Sequence, residues 1–427
     1  MSLTTLKQIK RVKGELLFNG DKSVSHRAVI FAAMAEGESV IKNISLSDDV
    51  QSSINCLAAM GARFEQRGGD LVVTGVGFKG FKKPETVLDA GNSGTTARLF
   101  AGLLSAQDFE VTLTGDDSLK QRPMERVVTP LKKIGAKIEL NGNLLPMTIS
   151  KGKFKSAEIT LEVASAQVKS ALILAGLHLG RGKLTLIDPF ETRNHTEEML
   201  GIPREVHPSG KVMTISKVYY PKSGEYIIPG DISSAMFFIV LTLIAGDTLR
   251  IKNLLLSPER IMAIEILKRM GGQIIVDREE TGNCGRWGDI FVKRSDLINI
   301  EIEPELIPLI IDEIPALTIA GLFAEGGFQI KNAAELRVKE TDRISAIVKN
   351  LQFCGAEVAE YEDGFLLYGK DLDDFAVFES YGDHRIAMAF SVLASLLNKG
   401  GKVNQSECVA VSNPAFYDQL ASISMKD

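Results

Sequence analysis

Six stretches of helical length and apolar composition begin with charged or small polar residues. The first opens GDKSVSHR, with Lys22, Ser23 and Arg27. The second opens GNSGTTAR, with Asn92, Gly94 and Arg98. The third opens ASAQVK, with Ser165, Ala166, Gln167 and Lys169. The fourth opens PGDISS, the fifth IDEIP with Asp312, and the sixth GDHR with His384 and Arg385. A helix start presents unpaired N–H groups and partial positive charge, which suit an anion. The same dipole disfavours cations there. Lys22, Arg27, Arg98 and Arg385 at such positions therefore point to a ligand that supplies negative charge. Gly94 lets the backbone come close to it, and the arginines offer bidentate donors to phosphate or carboxylate.

Two further segments are dense in charge: KQRPMERV, with Arg122, and ELRVKETDR, with Lys339, Glu340 and Arg343. Taken singly, each motif has a plainer reading. Ser and Thr at helix starts are commonly N-caps, and mixed charge is commonly a solvated ion-pair face. GNSGTT also lacks the lysine of a nucleotide-binding phosphate loop. The conjunction is what favours an anion site.

The elements that must position these residues repeat. Each apolar helix runs into a Gly-containing turn and a short strand, ending at Asn43, Gly115, Asp188, Asn253, Asn332 and near Gln405, a spacing of roughly seventy residues. Between them lie helices ending at Gly61, Gly135, Gly271 and Gly355, where a left-handed C-cap is expected, each followed by two strands around a turn. A degenerate copy is expected around Gly201. Six units suggest two domains of three, with a break in the Pro- and Gly-bearing stretch Tyr219 to Asp231.

Composition narrows the function classes. The 427 residues are 45% hydrophobic and 24% charged, with net charge −5, so nothing global favours nucleic acid or an anionic membrane. Four scattered cysteines and five histidines lack metal-binding spacing, and reduced thiols are expected. The opening MSLTTLKQIKRVKG has no apolar signal region, and no stretch is long enough to span a membrane. A cytoplasmic protein is expected.

GDKSVSHR, GNSGTTARL, QRPM, SAQVKSA, RNHTE, ELRVKETDR and YGDHRIAM together resemble the motifs of EPSP synthases, in that family's order, from Lys22 to about Met388. The resemblance implies an α/β fold of two inside-out α/β barrels, three repeats each, that close around substrate. It implies domains of 1–18 plus 230–427 and of 19–229. It further implies enolpyruvyl transfer from phosphoenolpyruvate to the 5-hydroxyl of shikimate 3-phosphate, in aromatic amino acid biosynthesis, by a monomer without cofactor or metal. Carried over by position, Lys22, Ser23 and Arg27 would bind substrate. Asn92, Gly94, Arg122, Gln167, Arg343 and Arg385 would line the phosphoenolpyruvate pocket, reached also by Lys22. Ser165, Ala166, Gln167, Arg193, Asp312 and Lys339 would hold shikimate 3-phosphate. Asp312 and Glu340 would be the acid–base pair, with Lys22 and His384 nearby.

Several positions depart from the pattern. Ala166 replaces a second serine, so Lys169 is expected to compensate as a phosphate contact and Arg193 to supply another. Glu335 stands where some members have Asn. VSNPAFYDQL has no lysine where some members place a phosphoenolpyruvate contact. Two other functions compete for the same motifs. An enolpyruvyl transferase acting on UDP-N-acetylglucosamine would carry a loop cysteine near Lys120 to Arg122, and none is present. A non-catalytic phosphate-ligand binder would not need Asp312, Glu340 and His384.

Overall fold

The computed structural model describes residues 2–190, 192–369 and 372–425. All six apolar stretches are helices: α1 (Lys22–Met34), α2 (Gly94–Ser105), α3 (Ala166–Gly176), α4 (Ile232–Ala245), α5 (Ile314–Phe323) and α6 (His384–Leu396). The residue before the helix caps five of them: Asp21, Ser93, Ser165, Asp231 and Asp383 each accept a first-turn backbone N–H. In α5 the corresponding residue, Glu313, makes no such bond.

Each helix leads to a strand: β1 (Glu36–Lys42), β2 (Val111–Thr114), β3 (Leu184–Asp188), β4 (Gly246–Leu255), β5 (Phe328–Ile330) and β6 (Gly401–Asn404). Left-handed backbone follows or interrupts four of them, at Asn43, Asn253, Asn332 and Gln405, with φ between 52° and 57°. Asparagine tolerates that conformation better than most residues. Gly61, Gly135, Gly271 and Gly355 take positive φ where the intervening helices end, and Gly201 closes helix His195–Leu200 in the left-handed region.

Among the described residues six small sheets follow one plan with variations. In five, the strand pairs antiparallel with a following hairpin strand: β1 with Asp70–Val76, β2 with Leu144–Ser150, β3 with Gly210–Ile215, β4 with Gly285–Lys293 and β5 with Gly364–Tyr368. For β6 the antiparallel partner is instead Leu3–Leu6, in register Leu3 to Asn404. A parallel strand joins the other edge of β1, β2, β3, β4 and β6.

The chain divides into two compact units. One comprises 1–19, 229–281 and 286–427 and holds α4–α6. The other comprises 20–228 and 282–285 and holds α1–α3. In the first unit α4, α5 and α6 pack on one another. Every residue of α4 from Ile232 to Leu243 is buried. A helix apolar all round belongs in a core, and each large side chain so buried contributes about 1.5–3 kcal/mol. In the second unit α2 crosses α3 closely. A Cβ at Gly102 would lie 2.0 Å from the Ala171 carbonyl oxygen, so only glycine fits that crossing. Among the described residues no single helix is long and apolar enough to cross a membrane.

Candidate active site

In the unit holding α1–α3, the polar helix starts are tied to one another by hydrogen bonds. Lys22, at the first position of α1, places Nζ 2.8 Å from Asp49 Oδ2. Arg27, one turn on, is buried. Its Nε donates to Thr196 Oγ1 and its Nη2 to Ser170 Oγ, each at 2.7 Å, while Nη1 donates to the Ser23 carbonyl and hydroxyl. One guanidinium thus joins α1 to α3 and to helix His195–Leu200, which Arg193 precedes. At α2, Arg122 donates to Asn92 Oδ1 at 2.6 Å, and Asn92 donates to Asp116 at 2.7 Å. Arg98 donates to Gln167 Oε1 at 2.8 Å, and Gln167 donates to Thr95 Oγ1 at 2.9 Å. Gly94 sits beside both arginines. A Cβ there would stand 2.9 Å from Arg98 Nη1 and 3.4 Å from Arg122 Nη1. Ser165 caps α3, with Ala166 first in the helix.

His26, on α1 between these cations, is fully buried and bonds Ser53 through Nδ1 at 2.8 Å. Burial, reinforced by Lys22 and Arg27, holds its pKa well below the ordinary histidine value. It stays neutral and joins Ser53, Thr96 and Ser93 in one hydroxyl chain ending at the α2 cap.

Lys169 is not where the sequence suggests. Its ammonium is buried between Asp188 and Glu197, 2.8 Å from each, and Asp188 also accepts from Thr192. It braces the segment before helix His195–Leu200 through the Thr192 carbonyl, and protein carboxylates match its charge. Burial alone would raise the Asp188 pKa, but Lys169 and the Thr192 and Phe190 bonds outweigh it and hold the value below that of ordinary aspartate. A depressed carboxyl pKa stabilises the fold above the unfolded value of about 3.9 and ceases to do so as pH falls through the folded one. Acid unfolding followed by circular dichroism should therefore show wild type losing stability below about pH 4, with Asp188→Asn losing less across that window from a lower starting point.

In the unit holding α4–α6, three carboxylates surround one buried arginine. Arg343, first residue of helix Arg343–Phe353, donates to Asp383 and to Glu340, each at 2.7 Å, and its Nη1 lies 3.6 Å from Asp312 Oδ1. Arg385 approaches Asp312 with Nε at 3.8 Å and donates through Nη1 to the Asp312 carbonyl at 2.9 Å. His384 is buried at the start of α6. Burial disfavours charge on Arg343, but Asp383, Glu340 and Asp312 outweigh it and hold its pKa above the ordinary arginine value. The buried Arg343 Nη1 makes no hydrogen bond. Lys339 lies by Glu335, 4.0 Å apart. Burial, with Arg343, lowers its pKa, while Asp312, Glu335 and Glu340 pull the other way.

The structure thus brings Asp312, Glu340, Arg343 and Arg385 together, and separately Lys22, Ser23 and Arg27, and Asn92, Gly94, Arg122 and Gln167. Protein carboxylates already balance some cations for which the sequence implied a ligand, Lys22 through Asp49 and Arg385 through Asp312. The sequence pattern does not single out Asp49, Asp116 or Asp383. Asp383 carries a legible signal as the cap residue of GDHR, and Asp49 stands in an acidic first turn after Ser47.

The fold is one also seen in an enolpyruvyl transferase of Streptomyces tendae, at TM-score 0.76 and 15% identity over 99% of this chain and 97% of that one. The chain itself belongs to the EPSP synthase (3-phosphoshikimate 1-carboxyvinyltransferase) family of enzymes, whose family model matches residues 6–420. It is 44% identical to a 3-phosphoshikimate 1-carboxyvinyltransferase of Thermoanaerobacter, over 96% of this chain and 98% of that protein. It is 41% identical to the enzyme of that name in Bacillus licheniformis, over 98% and 99%. An EPSP synthase of Acinetobacter baumannii superimposes with TM-score 0.86 at 36% identity, over 99% of this chain and 98% of that one.

Proposed function

We propose that this chain transfers the enolpyruvyl group of phosphoenolpyruvate to the 5-hydroxyl of shikimate 3-phosphate, releasing phosphate, as a cytoplasmic enzyme of aromatic amino acid biosynthesis. The observation that carries the reading is the Asp312–Arg343–Glu340 arrangement: two carboxylates on one buried guanidinium, with Arg385 Nε 3.8 Å from the same Asp312 oxygen that Arg343 approaches. The chemistry needs that set. The 5-hydroxyl oxygen attacks the central carbon of phosphoenolpyruvate while Asp312 takes its proton. Glu340, which enters the cycle protonated while its other oxygen accepts from Arg343, gives that proton to the methylene carbon. The tetrahedral intermediate then loses phosphate, which takes the proton held by Asp312, while the Glu340 carboxylate removes a proton from the methyl carbon to restore the double bond. The same two carboxylates handle both proton movements, since each step restores the protonation the other consumed. Arg343 and Arg385 hold the anionic groups of phosphoenolpyruvate, as do Lys22, Arg122, Asn92, Gly94 and Gln167. Ser23, Arg27, Ser165, Ala166, Arg193 and Lys339 orient shikimate 3-phosphate. His384 is buried at the first position of α6, directly before Arg385.

The test is phosphate release from phosphoenolpyruvate with and without acceptor. Release that requires shikimate 3-phosphate, and does not occur with UDP-N-acetylglucosamine, is expected. Release with the sugar nucleotide alone would overturn the reading.

Gly94→Ala gives a second check. Both groups that its Cβ would crowd are the ends of flexible arginines, so the chain should fold with Arg98 and Arg122 displaced. A charge-assisted hydrogen bond is worth about 1.5–3 kcal/mol. Steady-state kinetics should show KM for phosphoenolpyruvate raised about 10- to 100-fold, with KM for shikimate 3-phosphate little changed. An unaltered KM for phosphoenolpyruvate would remove Gly94 from the pocket.

A further inference from the structure

The bend that carries Asp312 is held by a buried polar triangle with no place in the reaction chemistry. Helix segment Pro304–Ile310 and α5 meet at 116°, and Asp312 and Glu313 occupy the break. Glu313 turns inward. Its carboxylate accepts a hydrogen bond from the Ser233 hydroxyl and lies 3.4 Å from Arg260 Nη1, and Arg260 Nη2 donates to Ser233 at 2.8 Å. Ser233, Arg260 and Glu313 are 5%, 4% and 2% exposed, so all three are withdrawn from solvent.

The internal repeat explains where this triangle comes from. ERIMAI (Glu259 to Ile264) and DRISAI (Asp342 to Ile347) are the same stretch in successive units. In each, the arginine reaches the carboxylate that starts the next long apolar helix. Arg343 reaches Asp383, before α6, and Arg260 reaches Glu313, before α5. The duplicates have diverged. Asp383 still caps its helix through two backbone N–H groups, whereas Glu313 gives its side chain to Ser233 and Arg260. A buried ion pair adds little net stability over apolar packing of the same volume. Its place beside Asp312 fits a requirement for geometry.

We infer that Arg260 and Glu313 are positioning residues for Asp312, fixing the bend so that its carboxylate faces Arg343 and Arg385. The inference rests on the proposed role of Asp312 in proton transfer. Displacing a reacting group by about 1 Å can cost on the order of 100-fold in rate. Glu313→Ala should lower kcat about 10- to 100-fold, with KM for shikimate 3-phosphate little changed. Glu313→Gln, which keeps the volume and one acceptor, should recover part of the loss.

The deciding experiment is a double-mutant cycle with Asp312→Ala. If Glu313 acts through Asp312, adding Glu313→Ala to Asp312→Ala should cost less than about twofold more. Equal losses in both backgrounds, or an unchanged kcat for the single variant, would overturn the inference. Should Glu313→Ala fail to fold, Glu313→Gln and Arg260→Lys enter the same cycle, with the same expected and contrary results. Wild-type phosphate release that ignores shikimate 3-phosphate would overturn the reaction reading alone. Acceptor-dependent release with additive losses would overturn the positioning role alone.

Discussion

Asp312→Ala is expected to lower turnover by a factor on the order of 10²–10⁴, the usual cost of losing a placed proton-transfer group. The fold should tolerate the change. The Asp312 side chain is 22% exposed, so its ion pairs with Arg343 and Arg385, at 3.6 and 3.8 Å, are long and in partial contact with water. Arg343 keeps Asp383 and Glu340 as partners when Asp312 is removed, so no buried charge is left without a counter-charge. The backbone bond from Arg385 to the Asp312 carbonyl does not depend on the side chain. A large loss of kcat with a near-native thermal transition is therefore expected, from stopped-assay kinetics beside a melting curve. Turnover within about tenfold of wild type, against that expected 10²–10⁴, would remove Asp312 from the proton-transfer step.

Arg343→Ala is expected to damage both fold and activity. Arg343 is 1% exposed and answers Asp383, which has no exposure, as well as Glu340 and Asp312. Removing one member of a buried pair typically costs about 3–5 kcal/mol, because the remaining charge is left without its partner. A domain commonly has only about 5–15 kcal/mol in total. Asp383 would keep its bonds to the first turn of α6, which moderates the loss. A urea midpoint well below wild type is expected, together with phosphoenolpyruvate binding too weak to saturate. Arg343→Lys should fall between, since it restores charge but cannot bridge Asp383 and Glu340 with a planar fork. An unchanged midpoint for Arg343→Ala would mean that this guanidinium does not hold the three carboxylates.

The helices that carry these residues are legible in the sequence, because each is a run of Ala, Ile, Leu, Val and Phe followed by a turn glycine or a polar strand end. α4, buried on every side, is the extreme case. The left-handed residues Asn43, Asn253 and Asn332 stand where the sequence repeats end. Helix starts are legible from cap residues, and most candidate site residues cluster there. The partners of the cations are not legible. Asp49 lies 27 residues from Lys22, and Asp383 lies 40 from Arg343. Periodicity within one element carries no information on such distant pairs.

Lys169 shows the cost of that gap. Along the chain, it is a cation in the first turn of α3, next to a position that lacks a serine. In three dimensions its ammonium lies between Asp188 and Glu197, two buried carboxylates that need a cation. The Lys169 charge is thus matched by protein carboxylates rather than left at the start of α3 beside Ala166. Glu313 is the converse case. In the sequence it is simply one of two acids opening IDEIP. Only the fold shows that its neighbour Asp312 faces the arginines while Glu313 turns into the core.

Mass analysis of a single-turnover reaction puts the transfer and its two carboxylates to the sharpest trial. Enzyme in excess is mixed with phosphoenolpyruvate and shikimate 3-phosphate, quenched, and the acceptor is weighed. One enolpyruvyl group gained per acceptor is expected, with one phosphate freed per group transferred, both suppressed in Asp312→Ala and Glu340→Ala. An acceptor of unchanged mass, or phosphate freed without transfer, would contradict the proposed reaction.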